Sequence, residues 1–261
     1  MEDVVQNQAR LGADAQFSEI DVANLISSLG VNAVKSQLKE INEVAKMIVD
    51  VYSGGGKVFT FGAGHAQAFA MELASRAGGM SFYTSMHLQD FREKVRNANW
   101  DLRDSEPERQ SENGIKLLNH HQVSNKDLVI IASQSGRNKA IIEMAMECKA
   151  RDIKVIGIGS LLHASQSVSR HESGKRLLDV VDIFLNNGSV YGDATVEMPD
   201  SKKICSASTA CFAIFAQVIN FAVAKEMLSR GITPPVLVSA NVDQGDSSNA
   251  ALKREKAPPA V

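Results

Sequence analysis

Two serines and a glycine stand in the stretch Ala132-Ser133-Gln134-Ser135-Gly136-Arg137-Asn138, between the apolar run "DLVIIA" (127–132) and a helical segment at 138–151. The first backbone N–H groups of a helix have no partners within it, and the helix dipole adds partial positive charge there. A strand that turns at once into a helix therefore offers an anion a seat. Ser133 and Ser135 add hydroxyl donors, and Gly136 lets the backbone come close. Such a loop could hold a phosphate monoester without a fixed positive charge. The alternative is that Ser135 or Asn138 simply caps the helix; two serines with a glycine favour the anion site.

A second turn of this kind is "FGAGHAQAF" (61–69). A dinucleotide fingerprint would need a third small residue where Gln67 stands, and an acidic residue ending the next strand, which "SFYTSMH" (81–87) lacks. A nicotinamide site is therefore not expected, and Gly62 and Gly64 either admit a ligand closely or make only a tight turn. Glu72, in "AMELASRAGG", has small and apolar neighbours. A carboxyl partly stripped of water becomes a usable base near neutral pH, although a Glu on a helix is most often a solvated face.

The remaining candidates fall in two later loops. "SLLHASQSVSRHESGK" (160–175) carries His163 and His171, the side chains best poised for proton transfer at neutral pH. It also carries Arg170 and Lys175, followed by Arg176, which could neutralise an anion or form an ordinary solvated face. "NNGSVYGDA" (186–194) supplies Asn187, Tyr191 and Asp193 as hydroxyl-reading groups, or a plain turn. His163 and His171 are eight positions apart, with no HxxxH or HxH pattern, so no metal is expected. His120 and His121 precede a strand, at the wrong end of the sheet for chemistry, and read as structural.

These loops need elements to hold them. Strands are expected at 57–61, 81–85, 127–132, 154–159 and 181–186, and helices over 18–52, 65–77, 106–122, 138–151, 164–178 and 208–228. Strands apolar throughout and separated by helices mean a parallel sheet covered on both faces. The expected fold is α/β: a doubly wound, flavodoxin-like five-stranded parallel sheet flanked by helices, with an N-terminal helical extension. Ligands in such sheets bind beyond the carboxyl ends of the strands, where all these loops lie.

Composition excludes several classes. The 261 residues are 44% hydrophobic with a formal net charge of −2, and no Lys/Arg-rich stripe suggests nucleic acid. Cys148, Cys205 and Cys211 are three in number without CxxC spacing, so reduced thiols are expected rather than a disulfide framework. The first ten residues are polar and acidic, unlike a signal peptide, and no uninterrupted apolar run approaches the roughly 18 residues of a membrane span. A soluble cytoplasmic protein is the expectation, with no membrane partner.

"ASQSGRN", preceded by "GAGHA…MELASRAGG" and followed by "CSASTA", resembles the SIS (sugar isomerase) domain family over roughly residues 30–230. The segments "SQSGRNKAIIEMA", "SLLHASQSVSRHESGKRLLDVVDI", "NNGSVYGDA" and "PPVLVSANVDQGD" resemble a bacterial branch of sugar isomerase domain proteins. The resemblance implies a flavodoxin-like domain that binds sugar phosphates. It places the phosphate loop on Ser133, Gln134, Ser135 and Asn138, and the glycine loop on Gly62, Ala63, Gly64 and His65. It puts ligand-contacting hydroxyls at Ser206, Ser208 and Thr209, the last opening the long helix, and an isomerase base at Glu72. Ser160, ending the fourth strand, joins the binding candidates. Phosphoheptose isomerases carry a His within the last long helix, and 208–228 has none, so a histidine would have to be His163, His171 or His65.

The resemblance thus implies aldose–ketose isomerisation of a sugar or amino-sugar phosphate through an enediol, with Glu72 as base and His163 or His171 assisting, and no cofactor. The alternatives are a non-catalytic sugar-phosphate sensor and a sugar-phosphate etherase or lyase. A homodimer or homotetramer is expected, with sites at subunit boundaries. The implied division is an N-terminal tail (1–17), a single SIS-type domain (18–240) and a partly flexible C-terminal extension (241–261).

Overall fold

The computed structural model describes residues 9–10, 17–90 and 106–255. In chain order its elements begin with β1 (Ala9–Arg10), α1 (Glu19–Ser36), α2 (Leu38–Ser53), β2 (Val58–Gly62), α3 (Gln67–Leu73) and β3 (Tyr83–Met86). Next come α4 (Glu106–Arg109), α5 (Asn113–His120), β4 (Leu128–Ala132), α6 (Lys139–Ala150), β5 (Lys154–Gly159) and α7 (Leu161–Ser165). The chain then runs through β6 (Ile183–Asn186), β7 (Ala194–Glu197), β8 (Lys203–Ser206), α8 (Ser208–Ser229) and α9 (Gly245–Glu255).

Five strands form one sheet in the order β3-β2-β4-β5-β6, every pair parallel. This is the doubly wound α/β fold expected from the sequence. Both faces are buried, which is why the strands read as continuous apolar runs. Val58, Leu128, Ile130, Ile156 and Ile158 face a core completed by Ile41 and Ile48 of α2 and Phe212, Phe215 and Ile219 of α8. The alternate residues Phe59, Phe61, Val129, Ile131 and Val155 face a second core with Leu117 and Leu118 of α5 and Ile141, Met144 and Cys148 of α6. Each such side chain contributes on the order of 1.5–3 kcal/mol by leaving water.

Several boundaries differ from the expected ones. The N-terminal helical region is two helices, interrupted at Gln37. Gln37 donates from Nε2 to the Asn186 carbonyl (2.8 Å) and accepts from the Asn186 N–H (2.7 Å), so its amide continues the sheet beside β6. The third helix is shorter than expected: a 3-10 turn, Gly64–Ala66, leads into α3, which ends before Ser75, whose φ is 59°. The helix expected over 106–122 is two short ones, α4 and α5, divided near Glu112, whose φ is 65°.

The helix expected over 164–178 is absent except for α7 and a 3-10 turn, Leu177–Asp179. The chain between them instead lies against the loop after β4. Arg170 N–H donates to the Arg137 carbonyl (2.9 Å) and Leu177 N–H to the Gly136 carbonyl (2.8 Å). A small second sheet, β1-β7-β8, was not foreseen, and a helix, α9, occupies part of the C-terminal extension. Helix α8 is long and apolar enough to cross a membrane by length and composition alone, but half of the qualifying window is buried in the protein. It packs against α1, α2 and α3, as the central helix of the first core.

Candidate functional site

Beyond the carboxyl ends of β2, β4 and β5 lies a cavity of about 550 Å³. Its walls come from loops at this edge of the sheet, from α4 and from the start of α8, so chain segments more than 140 residues apart in sequence meet there. The turn after β2 contributes Ala63, Gly64 and His65. Gly62 lies beneath rather than in the wall: the 3-10 turn folds back so closely that a Cβ at Gly62 would overlap the Ala66 carbonyl. Gly62 is thus required for the turn, and Gly64 and the exposed His65 are the residues presented.

The loop after β4 supplies Ser133, Gln134, Ser135, Arg137 and Asn138. Gly136 takes the left-handed conformation (φ 60°), and its N–H donates to Ser133 Oγ (3.2 Å). Neither Ser135 nor Asn138 caps α6. Asn138 is the N-cap residue, yet its side chain makes no cap hydrogen bond. Its Oδ1 instead accepts from Arg170 Nη1 (2.6 Å), and its side chain also hydrogen-bonds the Glu108 carboxyl. The first amides of α6 therefore remain uncapped by side chains, with Ser135 beside them.

Three polar atoms in this wall are buried with no hydrogen-bond partner among the described residues: Gln134 Nε2, Arg137 Nε and His163 Nδ1. An unpaired buried polar atom costs about 1–3 kcal/mol, and three residues of this one wall each carry one. Gln134 is held in this pose by Asn187, which is fully buried and donates from Nδ2 to Gln134 Oε1 (2.8 Å). That bond leaves the Gln134 amide nitrogen as the free end.

His163 lies in the first turn of α7, where its own N–H donates to Ser160 Oγ (3.1 Å). Its ring stacks obliquely on Tyr191 with centroids 5.1 Å apart. Burial holds its imidazole below the ordinary histidine value; Arg137 adds to this and Asp193 opposes it. His163 is therefore a neutral imidazole at neutral pH. Asp193, in the left-handed region (φ 73°), accepts from Ser208 N–H (2.7 Å), Ser208 Oγ (2.8 Å) and Ser189 Oγ (3.1 Å). Its carboxylate thus caps α8 and engages the Ser208 hydroxyl, leaving the exposed Thr209 and Ser206 as the hydroxyls on that wall with no hydrogen-bond partner among the described residues.

Several of the other residues singled out from the sequence stand apart from the cavity. Ser160 is completely buried and donates to the Ser189 carbonyl. His171 Nδ1 pairs with Ser173 Oγ (2.8 Å), and its Nε2 lies 4.0 Å from Glu143. Glu72 is ion-paired to Arg76 (2.9 Å) and accepts from Gln217 Nε2 (3.0 Å), on the outside of α3. Arg176 pairs with Asp179 and the Ala164 carbonyl, away from the cavity, whereas Arg170 lines it. Among the described residues no group of three or more His, Cys, Asp or Glu converges as a metal set.

Two charged wall residues were missed by sequence reasoning. Arg137 sits inside the phosphate-loop motif and was visible as its one cation. Glu108, on α4, carried no such signal: it lies before β4 in a charged segment. Burial raises its carboxyl above the ordinary value, against the opposing effects of its Asn138 hydrogen bond and of Arg109 and Arg170.

A five-stranded parallel sheet in the order β3-β2-β4-β5-β6, with a serine-rich strand-to-helix loop opening on an uncapped helix, defines a doubly wound α/β protein whose candidate site lies at the carboxyl edge of the sheet. The chain belongs to the SIS domain family, which matches residues 22–160. It is similar to a UPF0309 protein of Halalkalibacterium halodurans, 33% identical over 232 residues that cover 86% of this chain and 93% of the relative. A UPF0309 protein of Streptomyces avermitilis is 36% identical over 215 residues, 80% of this chain and 83% of the relative. Among solved structures, it is similar to phosphoheptose isomerase GmhA from Neisseria gonorrhoeae (TM-score 0.44, 16% identity, 79% of this chain and 95% of that chain). The Vibrio vulnificus NanR protein complexed with ManNAc-6P gives a TM-score of 0.43 at 11% identity, covering 90% of this chain and 68% of that one.

Proposed function

We propose that this protein is a phosphosugar isomerase, converting an aldose phosphate or amino-sugar phosphate to the ketose through an enediol. The observation that carries the reading is that Gln134, Arg137 and His163, each with a buried unpaired polar atom, line one cavity with the serines at the uncapped start of α6. The phosphate would rest on Ser133, Gln134, Ser135 and the first amides of α6, with Arg137 supplying the positive charge. The sugar would extend toward His65, His163 and Thr209, within a volume of about 550 Å³ that suits a hexose phosphate. A neutral His163 is suited to carry a proton between adjacent sugar oxygens.

A second reading is a sugar-phosphate sensor without turnover. It is favoured by Glu72, the base implied by family resemblance, being engaged with Arg76 and Gln217 outside its own chain's cavity. On the isomerase reading Glu72 would reach a site only across a subunit boundary. Exposed Phe221 (73%), Leu228 (64%) and Met71 (59%) offer apolar surface for a homodimer or homotetramer, which light scattering after size exclusion would detect. We take residues 18–240 as a single SIS-type unit in this scheme.

The test is a panel of sugar phosphates in thermal melts and in D₂O. A ligand of the native state raises the melting temperature by mass action. Deuterium appearing at the carbon beside the carbonyl supports isomerisation; stabilisation without exchange supports the sensor; neither effect with any member of the panel refutes both.

A further inference from the structure

We propose that Glu108 is the carboxylate that moves the carbon-bound proton of the substrate within this chain's own cavity. The inference rests on the isomerase reading above and deepens it. Glu108 shares the cavity wall with Ser133, Ser135 and His163, so a sugar whose phosphate sits on the loop after β4 occupies the same cavity as the carboxyl and the imidazole. Among the described residues, the cavity wall holds one other carboxylate, that of Asp193. Asp193 already accepts three hydrogen bonds from Ser189 and Ser208, and Glu72 and His171 have partners elsewhere.

Glu108 is held in place rather than merely exposed there. Asn113 is buried and donates from Nδ2 to the Pro107 carbonyl (2.8 Å), which ties α4 to α5. Asn138 joins the site to the phosphate loop, hydrogen-bonding Glu108 on one side and accepting from Arg170 on the other. The charged and titratable groups around Glu108 are Arg109 and Arg170 nearby, with Arg137, His65, His163 and Asp193 across the cavity. Burial outweighs the nearby arginines and raises the affinity of the carboxylate for a proton, which strengthens it as a base.

The step balances without a further reactant. The carboxylate takes the proton from the carbon next to the carbonyl. The C–H pair becomes the C=C bond of an enediolate, and the carbonyl π pair moves onto oxygen. His163 carries the proton from the neighbouring hydroxyl to that oxygen. The electron pair left on the deprotonated oxygen re-forms a carbonyl, the C=C pair takes the proton back from Glu108 at the former carbonyl carbon, and the carboxylate is regenerated.

The experiment compares wild-type protein, Glu108→Gln, Glu108→Asp and Glu72→Gln with the sugar phosphate that stabilises the wild type most. Glu108→Gln is expected to keep that stabilisation while solvent-deuterium exchange falls about 10²–10⁴-fold. Glu108→Asp should restore part of the exchange, with the acid limb of its pH profile displaced. Exchange at the wild-type rate in Glu108→Gln, or its loss in Glu72→Gln alone, overturns the inference and leaves the isomerase reading standing. A wild-type protein that binds sugar phosphates without exchange overturns the inference and the isomerase reading together, leaving the sensor.

Discussion

Asn187→Ala tests the idea that one buried amide aims the phosphate loop. Asn187 is fully buried, donates from Nδ2 to Gln134 Oε1 (2.8 Å) and accepts at Oδ1 from Ser189 N–H (2.9 Å). Truncation removes both bonds and leaves Gln134 Oε1 and Ser189 N–H to find new partners inside the protein. Each stranded buried group costs about 1–3 kcal/mol, so the variant should lose roughly 2–5 kcal/mol. For a chain of this size each kcal/mol lowers Tm by about 2–4 °C, so a fall on the order of 5–15 °C is expected by calorimetry. Gln134, freed from its tether, can leave its present side-chain pose in the cavity wall. The stabilisation conferred by a sugar phosphate should then shrink more than it does in a surface variant of equal Tm. An Asn187→Ala protein that melts within 2 °C of wild type and keeps its full ligand response, set against the roughly 1–3 kcal/mol assigned to each bond, would refute the reasoning.

Asp193→Ala removes three hydrogen bonds to a carboxylate and the charge capping α8, and should cost about 2–4 kcal/mol in urea unfolding; a loss below about 0.5 kcal/mol would contradict the capping role. His163 is held below its ordinary value by burial, while in the unfolded chain it titrates near pH 6.5. The unfolded state therefore binds the proton more readily, and the contribution of His163 to stability declines as pH falls below about 6.5. The Tm difference between pH 7.5 and pH 5.5 should be smaller in His163→Gln than in wild type, and an equal difference would count against a buried neutral imidazole. Burial pushes the Cys148 thiol up to about 12 and Cys211 up to about 11, so a disulfide reagent at pH 8 should titrate Cys205 alone until the protein unfolds.

How much of this was legible in the sequence follows from how local each feature is. Val58–Gly62 and Leu128–Ala132 could be read as buried strands because every residue in them is apolar, small or a threonine, and both faces of the sheet are covered. The loop after β4 could be read as an anion seat because a strand, a turn and a helix start follow one another within ten residues. Backbone amides at a helix start carry that chemistry whatever lies farther along the chain. The break at Gln37 was not readable, since its side chain is satisfied by Asn186, 149 residues away. The loss of the helix over 164–178 has the same origin: its backbone bonds instead with Gly136 and Arg137.

The order of residues sets the alternation of strand and helix and puts the serine-glycine turn at the carboxyl edge of the sheet. Which charged side chains reach that turn is settled by packing between distant segments of the chain. Periodicity says which face of a helix is apolar, but not what stands opposite its polar residues. Glu72 looked shielded by its apolar neighbours, yet Arg76 and Gln217 hold it outside the cavity. Glu108 sits in a run of charges that reads as solvated surface, yet the packing of α4 against α6 turns it inward beside Asn138 and removes the water around its carboxyl. Desolvation depends on everything packed around a group, and those neighbours come from distant parts of the chain.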